Sequence, residues 1–94
     1  MKMYVHTMFI ALEGVTGEEG GKFMEFALSN LQNFTIWPGM GAWQGVIEDC
    51  VILQFVSTSE EIPMKLRALA EYGKEVLHQS VVLITTHPVE TEYI

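Results

Sequence analysis

A chain of 94 residues has room for one domain, spanning 1–94, and a thin core. Hydrophobic residues make up 49% of it and charged residues only 18%, with a net charge of −7. The five Lys and Arg are scattered singly, so there is no basic stripe to follow a phosphate backbone, and nucleic-acid binding is not expected. No apolar run approaches the roughly 20 residues of a membrane-spanning helix, and Cys50 is the only cysteine, so neither a membrane span nor a disulfide is expected. The default location is cytoplasmic.

Residues 4–12 are apolar on both alternating sets, which predicts a central strand with both faces covered. His6, Met8, Ile10 and Leu12 share one face; Val5, Thr7, Phe9 and Ala11 share the other. Residues 13–21 read as a loop rich in Gly and Glu, in which Thr16 and Glu19 have the spacing of a capping box. Phe23, Phe26, Ala27, Asn30, Leu31 and Phe34 follow helical periodicity and predict a helix over 18–33. Residues 35–43 predict an irregular second strand. Pro38 lacks a ladder donor, so the strand should lie at an edge or hold a bulge, and Gly39 and Gly41 suggest bending or close backbone approach. The turn falls in 44–49, and residues 50–56 are nearly all apolar, as in a central strand. Thr58 and Glu61 repeat the capping-box spacing, Pro63 suits a first helical turn, and the stripe of Ile62, Leu66, Leu69, Ala70, Gly73, Val76 and Leu77 predicts a helix to about 78. Residues 80–86 predict a fourth strand broken by His87-Pro88. Residues 89–94 form a tail that alternates like a short extra strand.

The order β-α-β-β-α-β, with two right-handed crossovers, defines an α+β fold class. It is the ferredoxin-like βαββαβ sandwich: an antiparallel four-stranded sheet with two helices on one face. The strands read apolar on both sides, so the face without helices needs cover. A second subunit is the expected cover.

The chain holds no phosphate-cradling loop, no dinucleotide fingerprint and no nucleophile elbow. His6, His78 and His87 are far apart, so no metal is expected, and no cofactor either. Cys50 stands in the run Cys50-Val51-Ile52-Leu53 and reads as a small core hydrophobe; His6 reads as a satisfied core or interface histidine, and His78 as a partner of the helix dipole. The unusual stretch is 35–49, which holds both tryptophans, three glycines and two carboxylates. Aromatic walls, small residues and a carboxylate are the parts of a small-molecule site. The candidate ligand-binding residues are Trp43, Glu48, Gly41, Gly45 and Trp37, with Glu48 the candidate catalytic base beside an apolar aromatic wall. The plainer reading, open for each of them, is that the tryptophans anchor an interface and Glu48-Asp49 is a charged hairpin turn.

Gly41-Ala42-Trp43-Gln44-Gly45-Val46-Ile47-Glu48 resembles the G-x-[aromatic]-x-G-x-x-E hairpin of small ferredoxin-like proteins of the PII and CutA type. It also resembles that of the phage S-adenosylmethionine lyases of the same architecture. The resemblance implies a homotrimer with sheets packed face to face and ligand clefts between subunits. In the phage enzymes an aromatic residue and a glutamate of this hairpin line the cleft; Trp43 and Glu48 match those positions, with Trp standing in place of Tyr. The long nucleotide-binding loop of PII signal proteins has no counterpart here.

Four functions follow from these residues. The first is a small-ligand protein with intersubunit sites for a nucleoside such as S-adenosylmethionine, as binder or lyase. The second is a non-catalytic sensor or sequestering protein for a nucleotide signal. The third is a dimeric α/β-barrel protein of the antibiotic-biosynthesis-monooxygenase type, with His6 and Trp37 in its pocket. The fourth is a structural module without a ligand. Self-association as a trimer, or as a dimer in the third case, is the expected partnership.

Overall fold

A computed structural model describes residues 1–94. The elements run β1 (Lys2–Ala11), α1 (Gly17–Asn30), β2 (Thr35–Trp43), β3 (Val46–Ser57), α2 (Met64–Val76) and β4 (Leu83–Glu90). The strands form one sheet in the order β2-β3-β1-β4, with every neighbouring pair antiparallel. This is the expected α+β ferredoxin-like arrangement, with β1 and β3 central. No helix is long and apolar enough to cross a membrane.

Side-chain alternation divides the sheet into two unlike faces. Met8 pairs with Leu53 on one side and Ile84 on the other, and Leu53 pairs with Ile36. These residues point to the helices, where Met8, Ile10 and Leu53 pack with Phe23, Ala27 and Leu31 of the α1 segment and with Leu66, Leu69, Ala70 and Leu77 of the α2 segment. Phe26 and Tyr72 stack between the helices, with ring centroids 4.2 Å apart. The opposite face carries Phe9, Ile52, Leu83 and Trp37, successive partners across the four strands. No helix covers it. Val56, Leu83, Trp37 and Trp43 stand exposed, while Val5 and Met3 of the central strand are buried between their neighbours.

Local chemistry fixes the element ends. Thr16 caps α1: its hydroxyl accepts from the Glu19 N–H (3.2 Å), and Glu19 Oε1 accepts from the Thr16 N–H (2.9 Å). The second capping box, expected at Thr58 and Glu61, does not form. α2 starts only at Met64, because Pro63 disfavours helical geometry in the residue before it. Residues 57–61 instead make local bonds, with Ser59 Oγ donating to the Glu61 carbonyl and Ser57 Oγ to the Ser59 carbonyl. The third strand begins at Val46 rather than Cys50. Gln44 (φ 50°) and Gly45 (φ 82°) make a two-residue turn with left-handed backbone at both positions, so pairing resumes at once. Gly39 shows the expected close approach: a Cβ there would lie 2.9 Å from Ile52 Cδ1, whereas the space at Gly41 is open. Pro88 does not end the fourth strand. β4 is an edge, where a missing donor is tolerated, and Pro88 pairs with Tyr4. The tail beyond Glu90 adds no strand; Thr91 donates its N–H to the Met1 carbonyl (2.9 Å).

His6 is fully buried and satisfied, as expected of a core histidine. Nδ1 lies 2.8 Å from Thr86 Oγ1 and Nε2 2.8 Å from Ser57 Oγ. Ser57 spends its own proton on the Ser59 carbonyl, so Nε2 carries the ring proton and Nδ1 accepts from Thr86. Desolvation lowers the His6 pKa below the ordinary 6.5, against a smaller raising effect of the Ser59 backbone. The unfolded chain therefore takes up its proton first as pH falls, and stability drops as pH goes below about 6.5, until the folded protein protonates too. Urea midpoints measured at pH 7.5 and 5.5 are expected to differ in that direction, with a smaller difference in His6→Gln. Equal differences in the two proteins would assign the pH dependence to other groups.

Candidate functional site

The end of β1 opens into a cleft of about 480 Å³. One wall is the β2–β3 hairpin, with Gly41, Ala42, Trp43, Glu48 and Cys50; the other is the segment after α2, with His78, Gln79, Ser80 and Val81. Phe9, Ala11 and Glu13 form the floor and rim. The size falls within the ordinary range for small-ligand sites. Register explains the hairpin wall. Glu48 faces Gly41, and Trp43 faces Val46 one alternation further on, so Trp43 and Glu48 share a face on a diagonal. The absence of a side chain at Gly41 leaves the carboxylate approachable. A second, smaller hollow of about 340 Å³ reuses Glu13 and Glu48 with Leu12, Val46, Ile47 and Asp49.

Of the five residues expected from sequence, the cleft brings together Gly41, Trp43 and Glu48. Gly45 serves the hairpin turn. Trp37 lies on the uncovered sheet face opposite Ile52, outside the cleft. Glu48 and Asp49 belong to the strand, not to a charged turn. His6 and Trp37, paired in the monooxygenase-type alternative, occupy opposite faces of the sheet: His6 aligns with Phe55 and Thr86 over the helices, Trp37 with Ile52 on the bare side. They share no pocket.

Four cleft residues gave no signal as a group in the sequence: Glu13, Cys50, His78 and Ser80. His78 is held there by backbone and partner. It follows α2 in left-handed geometry (φ 57°), and the Gln79 N–H closes the helix end on the Lys74 carbonyl (2.9 Å). Its Nε2 bonds to Glu19 Oε2, so one carboxylate caps α1 with one oxygen and holds the imidazole with the other. These contacts lower the Glu19 pKa, the Thr16 backbone N–H contributing most and His78 next. No Lys or Arg lines the cleft, and no group of three His, Cys, Asp or Glu side chains is placed to hold a metal ion.

These features define a class: a four-stranded ferredoxin-like domain with a mixed acidic and aromatic cleft at the hairpin end of its sheet. No described protein family matches the sequence, and no curated protein does. The likeness to known proteins is in the fold. A phage SAM lyase solved in complex with S-methyl-5′-thioadenosine matches 98% of this chain and 92% of its own, at TM-score 0.63 and 14% identity. CPII, a nitrogen regulatory PII-like protein from Thiomonas intermedia bound to ADP, AMP and bicarbonate, matches over 100% and 97%, at TM-score 0.61 and 8% identity. The divalent cation tolerance protein from Thermus thermophilus, of the CutA type, matches over 99% and 88%, at TM-score 0.56 and 16% identity. The chain thus has the fold shared by PII-like, CutA and phage SAM lyase structures, as the hairpin resemblance implies.

Proposed function

We propose that this protein is a self-associating small-ligand binder whose cleft, completed by a neighbouring subunit, takes a cationic nucleoside of the S-adenosylmethionine type. The observation that carries this is the cleft wall itself: Trp43 beside Glu48 at an open Gly41, with no lysine or arginine in the lining. An aromatic face and a carboxylate suit a base and a sulfonium. They do not suit a polyphosphate, which needs cations. The phage lyase fold neighbour, whose complex holds a methylthioadenosine, supports the same ligand class.

Lyase chemistry in such a cleft would ask little of the protein. The substrate's own carboxylate attacks its γ carbon, the carbon–sulfur bond breaks, and the electron pair leaves on sulfur to give a neutral thioether and a lactone. Orientation and exclusion of water would then be the main contributions of Trp43 and Glu48. A binder that only sequesters the nucleoside needs the same contacts without the reaction.

The test pairs solution mass with titration calorimetry of S-adenosylmethionine on wild type and Glu48→Ala. A trimer that binds, with affinity reduced at least tenfold in Glu48→Ala, is the expected result. A dimer, or no heat at millimolar ligand, overturns the reading. Analysis of the incubated ligand for methylthioadenosine separates lyase from binder.

A further inference from the structure

Beyond Glu13, Glu48 and Cys50, the cleft holds one imidazole, His78, and its ring is held by a residue outside the cleft lining. His78 occupies a helix-end position where glycine is the usual residue, because the backbone there is left-handed. The ring is tied to Glu19 through Nε2, which leaves Nδ1 without a partner. Glu19 is itself immobilised by the Thr16 capping box. A carboxylate that holds one imidazole nitrogen fixes the tautomer and leaves the other nitrogen free to bond a ligand.

The charges around His78 decide what that occupant is. Glu19 faces it from α1, Glu13 and Glu48 lie in the cleft, and Lys74 and Glu75 stand on the last turn of its own helix. The hairpin wall thus carries a carboxylate, with Glu13 at the rim, while the opposite wall offers His78 and Ser80; the Gln79 amide donates to the Leu77 carbonyl (2.8 Å). A purely cationic ligand uses only the first wall. A polyphosphate finds one ionisable donor and two carboxylates against it. A ligand carrying one cation and one carboxylate fits both.

We propose that His78, positioned by Glu19, is the cleft's carboxylate-binding residue, donating from Nδ1–H in its imidazolium form. This rests on the reading of the cleft as a small-ligand site, and it adds the recognition of the ligand's anionic end. Binding of a carboxylate favours the protonated ring, so affinity rises as pH falls from 8.5 to 6.

Calorimetry of S-adenosylmethionine and of methylthioadenosine, which lacks the amino-acid group, at pH 6.0 and 8.5 tests it. The wild type is expected to bind S-adenosylmethionine about tenfold more tightly at pH 6.0. His78→Gly, the replacement the left-handed backbone accepts best, removes that pH dependence, and Glu19→Gln reduces it; methylthioadenosine affinity responds to neither pH nor variant. Unaltered pH dependence in His78→Gly overturns the proposal. A wild type that binds neither nucleoside overturns the nucleoside reading alone. In that event, the imidazole resonances of His78 titrated with acetate at pH 6.0 decide: saturable shifts, lost in Glu19→Gln, support the carboxylate site, and their absence removes it.

Discussion

Leu53→Ala lowers the thermal midpoint by about 15 °C. Leu53 is fully buried at the centre of β3, between Met8 of β1 and Ile36 of β2, and its side chain meets both helices' core residues. Truncation removes the buried methyl groups and leaves a cavity that two rigid central strands cannot close, at a cost of about 3 kcal/mol. In a domain of this size each kcal/mol moves the midpoint by about 4–8 °C. The core is thin, so the loss is a large share of the total stability. Circular dichroism melting checks it. A shift below about 4 °C would mean that the helix-facing side of the sheet is not the core.

Ile52→Lys, one residue away, is expected to leave the protomer folded and to abolish the proposed self-association. Ile52 points to the opposite face, beside Phe9 and Trp37, where no helix lies. In an isolated protomer a lysine there reaches water along its own aliphatic stem. In a face-to-face assembly it would be desolvated without a partner. The association constant should fall at least a thousandfold, equivalent to about 4 kcal/mol. Light scattering at micromolar concentration reads the mass against the 10.6 kDa of one chain. A wild type that already runs at that mass contradicts self-association outright. The contrast between Leu53 and Ile52 separates the two faces: one substitution is expected to act on the fold, the other on the proposed contact between copies.

The uncovered face also explains why strands read from sequence as doubly buried. Ile52, Phe9, Leu83 and Trp37 are as apolar as the helix-facing set, yet within one chain only the helix-facing set is covered. Periodicity reports that a residue is apolar, not what covers it.

Much of the fold was legible in local chemistry. The alternation of residues 4–12, the Thr16–Glu19 capping box, the edge position implied by Pro38 and the helical stripe from Leu66 to Leu77 each rest on interactions within a few residues. The same locality explains the misplaced boundaries. Pro88 reads as a breaker until the sheet order shows that its strand is an edge, and the Thr58–Glu61 spacing reads as a cap until Pro63 delays the helix. The hairpin half of the cleft, Gly41 with Trp43 and Glu48, was legible because those residues are neighbours in sequence and two-residue turn geometry fixes their register. The other half was not. Glu13 and His78 of the cleft, and Glu19 that holds His78, lie on three separate segments, Glu19 and His78 being 59 positions apart, and no spacing rule joins them. Sequence alone determined the elements and the uncommon chemistry of one hairpin. The tertiary structure decided that the end of α2 folds back over the start of α1, setting a carboxylate-held imidazole opposite that hairpin, because contacts between distant segments depend on packing and not on local propensity.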